Sequence, residues 1–125
     1  MQEQWNDDQP IYRQLRDRMM GLIMDGAFLE GEPIPSVRTV SADYQINHLT
    51  VSKAYQMLVD DGLVEKRRGL GMFVKDGARA HILKTEKNQF LSVELPKLVQ
   101  RLEQLGITQS ELVGYIKMVN KEQNQ

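Results

Sequence analysis

The alternation of apolar and polar positions predicts three short helices in the first half of the chain. After Pro10, whose missing N–H is not needed in the first turn of a helix, apolar residues recur every three or four positions up to Gly26. Ser36 and Asn47 are expected to cap a second and a third helix, because their side-chain oxygens accept backbone N–H bonds at a helix start. Only Gln45-Ile46 separates the second helix from the third. Two short helices joined by so brief a turn form a helix-turn-helix.

A basic β-hairpin is predicted after the third helix. Residues 62–74 have the pattern of a strand, a glycine-flanked turn and a second strand. Between positions 65 and 75, four cations (Lys66, Arg67, Arg68 and Lys75) stand against one anion, Glu65. A helix-turn-helix followed by a basic hairpin is the layout of a winged helix.

A leucine seam marks the last third of the chain. Five leucines are spaced like the a and d positions of a heptad repeat: Leu91, Leu95, Leu98, Leu102 and Leu105. Pro96 lies inside this seam, so the helix is expected to kink near it or to begin afresh there. Thr108-Gln109-Ser110-Glu111 is a capping box that opens a last helix. The seam either packs on the first helix of the same chain or forms a dimer interface, and the dimer is favoured because an exposed leucine seam is costly for a monomer.

The predicted fold is mainly α with a small β-hairpin: a winged helix-turn-helix followed by a short α-helical dimerisation tail. We place a flexible leader at residues 1–9, the winged helix-turn-helix domain at 10–75 and the helical dimerisation or effector tail at 76–125. Trp5 is expected to pack on the body of the domain. Ile34, which lies between two prolines, is expected to pair as a very short edge strand.

The composition favours one domain with an appendage. The chain has 125 residues, of which 41% are hydrophobic and none is cysteine, so it offers neither a disulfide framework nor a thiolate metal site. No apolar run approaches the ~20 residues that a membrane span requires. Residues 1–8 are acidic and polar, unlike a signal peptide. We therefore expect a soluble, cytoplasmic protein without a membrane partner.

The net charge weighs against strong non-specific binding to nucleic acid. It is −1 for the whole chain, and residues 1–78 hold nine Lys and Arg against twelve Asp and Glu, a net of −3. Charge placement matters more than the sum, because salt screens these fields beyond about 8–10 Å. No acidic residue occurs between Asp43 and Asp60, so the polar face of the third helix suits a polyanion. A winged helix that binds protein rather than DNA stands as the alternative.

The sequence shows no constellation typical of an enzyme. His48 and His81 are far apart and lack a third metal-binding partner, and the adjacent acids Asp60-Asp61 would not flank one substrate bond. No nucleophile–base pair, phosphate loop or dinucleotide fingerprint occurs. We expect no catalysis, no cofactor and no metal. A small-molecule effector of unknown identity is left open.

Five segments, in order and spacing, resemble the GntR family of bacterial transcription regulators, and the short two-helix tail is similar to the YtrA-like subgroup of that family. The resemblance implies double-stranded operator DNA as a partner and a homodimeric repressor on a palindromic operator, often of a transport operon. The segments are Pro10-Ile11-Tyr12-Arg13-Gln14-Leu15, Pro35-Ser36-Val37-Arg38, Thr50-Val51-Ser52-Lys53-Ala54-Tyr55, Asp61-Gly62-Leu63-Val64 and Arg68-Gly69-Leu70-Gly71-Met72-Phe73-Val74.

Carried over position by position, the resemblance implies three groups of DNA-binding residues. Those at the start of the second helix, where hydroxyls and backbone N–H groups bind phosphate, are Ser36, Arg38 and Thr39. Those of the third helix, which would enter the major groove, are Asn47, His48, Leu49, Thr50, Ser52 and Lys53. Those of the wing tip, which would enter the minor groove, are Arg67, Arg68 and Gly69.

Several of these residues allow a second interpretation. Arg38 could instead form a surface ion pair with Asp43. Strand alternation turns Arg67 and Arg68 in opposite directions, so we expect only one of them to reach DNA fully. Tyr55 is expected to be a core residue with an exposed hydroxyl rather than a base-stacking platform.

The third helix departs from the family pattern at its first two positions. Many relatives carry arginine at the position of His48, which suits bidentate contact with guanine. Neutral histidine offers a single donor or acceptor there, so guanine recognition is not expected to carry over. Leu49 replaces a polar residue and could contact a thymine methyl group.

Overall fold

The computed structural model describes residues 5–124, which form six α-helices and one antiparallel β-hairpin. The predicted fold class, mainly helical with a small hairpin, is therefore confirmed. In chain order the elements are α1 (Ile11–Met24), α2 (Val37–Tyr44), α3 (His48–Asp60), β1 (Val64–Arg67), β2 (Gly71–Val74), α4 (Ala78–Gln89), a π-helical segment (Phe90–Glu94), α5 (Leu95–Gln104) and α6 (Gln109–Gln123).

Local capping fixes the ends of the first helices as the sequence predicts. The Ser36 hydroxyl accepts the backbone N–H of Thr39 at 3.1 Å, and the Asn47 side chain accepts that of Leu49 at 2.8 Å. Gly26, with φ of 82°, takes the left-handed conformation just after α1. The turn between α2 and α3 is made by Gln45, which also adopts a positive φ of 55°.

A single apolar core joins α1, α2, α3 and the hairpin. Its larger members are Leu15, Met19, Ile23, Val40, Val51, Tyr55, Leu58, Leu63, Val64, Val74 and Ile82. The hairpin pairs Val64 with Val74 and Arg67 with Gly71. Its free edge is extended by the segment before α2, where Pro33 bridges Phe73 and the N–H of Ile34 donates to the Met72 carbonyl at 2.9 Å. The short edge strand predicted at Ile34 is confirmed.

The segment before α1 is tied to the domain from residue 5 onward. Trp5 packs against the core and meets the Tyr44 ring edge-on, with ring centroids 6.1 Å apart, so its predicted packing is confirmed. The Gln14 side chain accepts the N–H of Asn6 at 3.0 Å and donates to its carbonyl at 2.9 Å. The leader predicted at residues 1–9 falls partly outside the described residues, and its flexibility stays a prediction.

The chain divides into two compact units, one up to Thr85 and one from Glu86 onward. In the second unit, α5 starts at Leu95 with Pro96 in its first turn, just after the π-helical segment. Gln89, Glu94 and Leu95 all keep right-handed helical angles, so the chain stays helical from α4 into α5 and does not begin a separate helix at Pro96. The alternative of a kink near Pro96 stays a prediction. The predicted capping box of α6 is also present, since Thr108 and Glu111 cap each other reciprocally. None of residues 86–124 is buried.

Candidate nucleic-acid interface

The outer face of α3 consists of polar and cationic side chains and one exposed leucine. Val51, Ala54, Tyr55 and Leu58 face the core. The opposite face exposes His48, Leu49, Ser52, Lys53 and Gln56. Leu49 is 66% exposed although it is apolar. A helix face without a carboxylate before Asp60 can approach a polyanion without charge repulsion.

The start of α2 lies beside the start of α3. The Ser36 and Thr39 hydroxyls are hydrogen-bonded to each other at 2.9 Å. Arg38 and His48 line one shallow depression between the two helices, together with Val37, Ser41 and Ala42. Within residues 5–124, Arg38 is exposed and forms no ion pair with Asp43 or another acid. Its guanidinium is thus available to an external anion.

Tyr55 links these two helix starts from inside. It is 1% exposed, and its hydroxyl donates to the Pro35 carbonyl at 2.6 Å. Burial raises the pKa of this phenol above its ordinary value of 10.0. The assignment of Tyr55 to the core is confirmed, but the expected exposed hydroxyl is wrong, because the segment before α2 covers it. The hydrogen bond fixes Ser36 and Arg38 relative to α3.

The wing presents one of its two arginines. The carbonyl of Arg67 accepts the N–H of Leu70 at 2.9 Å, which closes a turn in which Gly69 has φ of 78°. Arg67 is held against the hairpin, because it pairs with Glu65 at 3.1 Å and lies over the Phe73 ring at 4.2 Å. Arg68 lies in the turn, exposed, and no acid pairs with it in the described part of the chain. Arg68 is therefore the better placed of the two to reach a ligand.

Lys53 has a partner that the sequence did not reveal. Its Nζ lies 4.1 Å from the centroid of the Tyr12 ring, which belongs to α1. Tyr12 falls within the first motif of the family resemblance, but its sequence position did not indicate a role. The contact brings the start of α1 to the exposed face of α3.

The leucine seam is exposed in the second unit. Leu91, Leu98 and Leu105 are 47%, 46% and 55% exposed, whereas Leu95 and Leu102 are partly buried. The last helix, α6, also exposes apolar side chains, among them Ile116 at 50% and Val119 at 47%. These residues form a candidate interface rather than a closed core.

Residues 5–124 contain neither a metal-binding cluster nor a membrane-spanning helix. No group of three or more His, Cys, Asp or Glu side chains is placed to hold a metal ion. No helix in this range is long and apolar enough to cross a membrane.

A three-helix core, a two-stranded wing and a third helix whose exposed face has no carboxylate before Asp60 define a winged helix-turn-helix of the kind found in DNA-binding regulators. The model of the family "Bacterial regulatory proteins, gntR family" matches residues 11–74. The chain belongs to the GntR family of transcription regulators. Its relatives are regulators rather than enzymes, and membership favours DNA over protein as the partner of the winged helix.

Two curated relatives from Bacillus subtilis match nearly the whole chain. The HTH-type transcriptional regulator YhcF is 30% identical over 94% of this chain and 95% of its own length. The HTH-type transcriptional repressor YtrA is 29% identical over 90% of this chain and 86% of its own length.

Solved structures support the same assignment. A GntR-family regulator from Bacteroides thetaiotaomicron is 32% identical and superposes with a TM-score of 0.75 over 90% of this chain and 99% of its own. The DNA-binding domain of AraR in complex with the operator ORE1 is 26% identical, with a TM-score of 0.52 over 59% of this chain and 93% of its own.

Proposed function

We propose that this GntR-family regulator is a homodimeric repressor that binds a palindromic operator in a sequence-specific manner. The observation that carries the proposal is the shared depression between α2 and α3, where Arg38 and His48 lie side by side with no acid paired to Arg38 among the described residues. In this arrangement Arg38 contacts the DNA backbone or a base edge. The start of α3 enters the major groove, and Arg68 with Gly69 enters the adjacent minor groove.

Most of the predicted DNA-binding residues then have a place in the complex, whereas Arg67 is held by Glu65 and Phe73 of the hairpin. Sequence choice rests on the exposed side chains at the start of α3, namely His48, Leu49 and Ser52. The start of α2, where Ser36 caps the helix and Thr39 lies beside it, makes the contacts that position the protein on the DNA backbone. Asn47 caps α3, and Thr50 is partly buried behind its exposed face, so these two residues orient the helix. The likeness to the AraR domain, which was crystallised with its operator, supports this assignment.

The homodimer is proposed on the exposed seam of the second unit. No residue of α5 is buried within a single chain, and an exposed leucine seam is costly for a monomer. A second copy of the same seam would cover Leu91, Leu98 and Leu105 in a two-fold arrangement. Such a dimer places two α3 helices on half-sites about 10 bp apart, or a multiple of that distance.

Binding to the upstream region of the protein's own gene tests the function. Fluorescence anisotropy with a labelled duplex from that region should show binding, and a scrambled duplex of the same length should bind far more weakly. Affinity should fall steeply as salt rises, because phosphate contacts release counterions. Equal affinity for the two duplexes would sink the sequence-specific repressor.

Two finer predictions belong to the same proposal. They are control of a transport operon and action in the cytoplasm, while a small-molecule effector of unknown identity is left open. A reporter gene placed behind the bound upstream region, in cells with and without the protein, distinguishes repression from activation. Loss of the protein should raise expression of a repressed reporter.

A further inference from the structure

A cation and a phenol meet where the start of α1 approaches the middle of α3. Lys53 of α3 places its Nζ 4.1 Å from the Tyr12 ring centroid, the distance of a cation–π contact. The pKa of the Tyr12 phenol is lowered, first by a hydrogen bond with the Arg13 side chain and then by the positive charge of Lys53. Lys53 and Tyr12 therefore meet from two different helices, with the Arg13 cation next to Tyr12 in the chain.

This group carries a positive charge that nothing nearby neutralises. In the described part of the chain, neither Arg13 nor Lys53 forms an ion pair with a carboxylate. Both residues are exposed, and Tyr12 is partly exposed. The positive charge of Lys53 at the Tyr12 ring is therefore open to a bound anion.

The Tyr12 ring also restricts the Lys53 side chain. A free lysine loses about 2 kcal/mol of rotamer entropy when it is fixed in one conformation. Because the Tyr12 ring already holds the Lys53 ammonium in the free protein, less side-chain entropy is left to be lost when DNA binds. Lys53 lies on the same exposed face of α3 as Leu49 and Ser52, so its ammonium points to the side that faces DNA in the proposed complex.

We propose that Tyr12 and Lys53 form one binding site for a phosphate of the DNA backbone, in which Tyr12 is a positioning residue that orients the Lys53 ammonium. The proposal rests on the proposed function. It adds the start of α1 to the DNA-contacting surface. Because the ligand is a backbone phosphate, the site should contribute equally to specific and non-specific DNA.

The test compares variants on two labelled duplexes, one from the protein's own upstream region and one scrambled. Lys53→Ala should weaken binding to both duplexes by the same factor and lower the slope of log affinity against log salt by about 0.9 for each protomer bound. Tyr12→Leu should weaken binding to both by about two- to fivefold, the range of an exposed cation–π contact. Tyr12→Phe keeps the ring and should restore most of the affinity lost in Tyr12→Leu.

A double-mutant cycle shows whether Tyr12 acts through Lys53. If it does, adding Tyr12→Leu to Lys53→Ala should cause little further loss, because the side chain that Tyr12 orients is already gone. Lys84→Ala is the matched control, since Lys84 is an exposed cation of α4 outside the site. It should leave the salt slope unchanged.

Thermal unfolding separates binding from folding. All variants should retain the circular dichroism spectrum of the wild type, and affinities are compared at temperatures well below the lowest Tm. An unchanged salt slope in Lys53→Ala, or fully additive losses in the cycle, would overturn the site while leaving the proposed function intact. If the wild type binds neither duplex, the proposed function fails and the site fails with it.

Discussion

The two adjacent arginines of the wing should respond in opposite ways to substitution by alanine. Arg67 is paired with Glu65 at 3.1 Å and lies 4.2 Å over the Phe73 ring. An exposed ion pair contributes about 0–1 kcal/mol, and a cation–π contact at an exposed site about 0.5–1 kcal/mol. Arg67→Ala should therefore lower the free energy of unfolding by about 1 kcal/mol, which for a chain of this size lowers the Tm by about 4 °C.

Arg68→Ala should instead affect DNA binding. Arg68 lies in the exposed turn and has no ion pair within residues 5–124, so its loss should change the free energy of unfolding by less than about 0.5 kcal/mol. In the proposed complex it neutralises one phosphate of the minor groove. Its removal should then lower the slope of log affinity against log salt by about 0.9 for each protomer.

Two measurements on the same pair of proteins decide between these roles. Thermal unfolding followed by circular dichroism reports the stability of each variant. Anisotropy titrations between about 50 and 200 mM salt report the slope. The reasoning is refuted if Arg67→Ala lowers the salt slope as much as Arg68→Ala does while leaving the Tm unchanged. The contacts of Arg67 with Glu65 and Phe73 would then contribute nothing to stability and would not keep Arg67 away from DNA.

Further predictions concern the core, the helix starts and the seam. Tyr55→Phe removes the hydroxyl that donates to Pro35 and should lower the free energy of unfolding by about 1–2 kcal/mol in urea titrations, since the carbonyl is left unpaired. Because burial raises the pKa of the Tyr55 phenol, the folded chain keeps the phenolic proton to a higher pH than the unfolded chain does, so this group's contribution to stability is complete below the unfolded-state pKa of 10.0 and is lost as pH rises beyond it. The fall in Tm between neutral and strongly alkaline pH should therefore be smaller in Tyr55→Phe than in the wild type. An identical fall in the two proteins would refute this. Arg38→Ala should weaken operator binding by about 1–3 kcal/mol, measured by anisotropy, if it reaches a base edge, with an unchanged sedimentation coefficient. Leu98→Asp with Leu105→Asp should convert a dimer to a monomer in sedimentation equilibrium, and a wild type that is already monomeric at micromolar concentration contradicts the proposed interface.

Features that depend on neighbouring residues could be predicted from the sequence. The caps at Ser36, Asn47 and Thr108 act over two or three residues, so the residue types and their spacing contain the necessary information. Pro96 indicated a local disturbance of the tail helix, because its missing N–H acts within one helical turn, and the π-helical segment comes just before it. The family resemblance supplied the set of DNA-facing positions, whose individual roles stay predictions.

Features that depend on packing between distant segments could not be predicted. The Tyr55 hydroxyl is covered by the chain before α2, and the Tyr12 ring reaches Lys53 only because α1 packs on α3. Sequence alternation indicated that Arg67 and Arg68 point in opposite directions, but not which of the two side chains packs on the hairpin. Arg67 does so because Phe73, on the opposite strand, provides the ring against which it lies.

The absence of any buried residue at positions 86–124 has a consequence for gene dosage. Under the proposed dimer, operator occupancy depends on the population of paired chains, and this population rises roughly fourfold for each doubling of protein while single chains predominate. A modest change in synthesis or degradation would then produce a steeper change in transcription than a monomeric regulator could give. Because no residue at positions 86–124 is buried within a single chain, pairing would depend on protein concentration, and the cellular copy number would decide whether the operator is occupied.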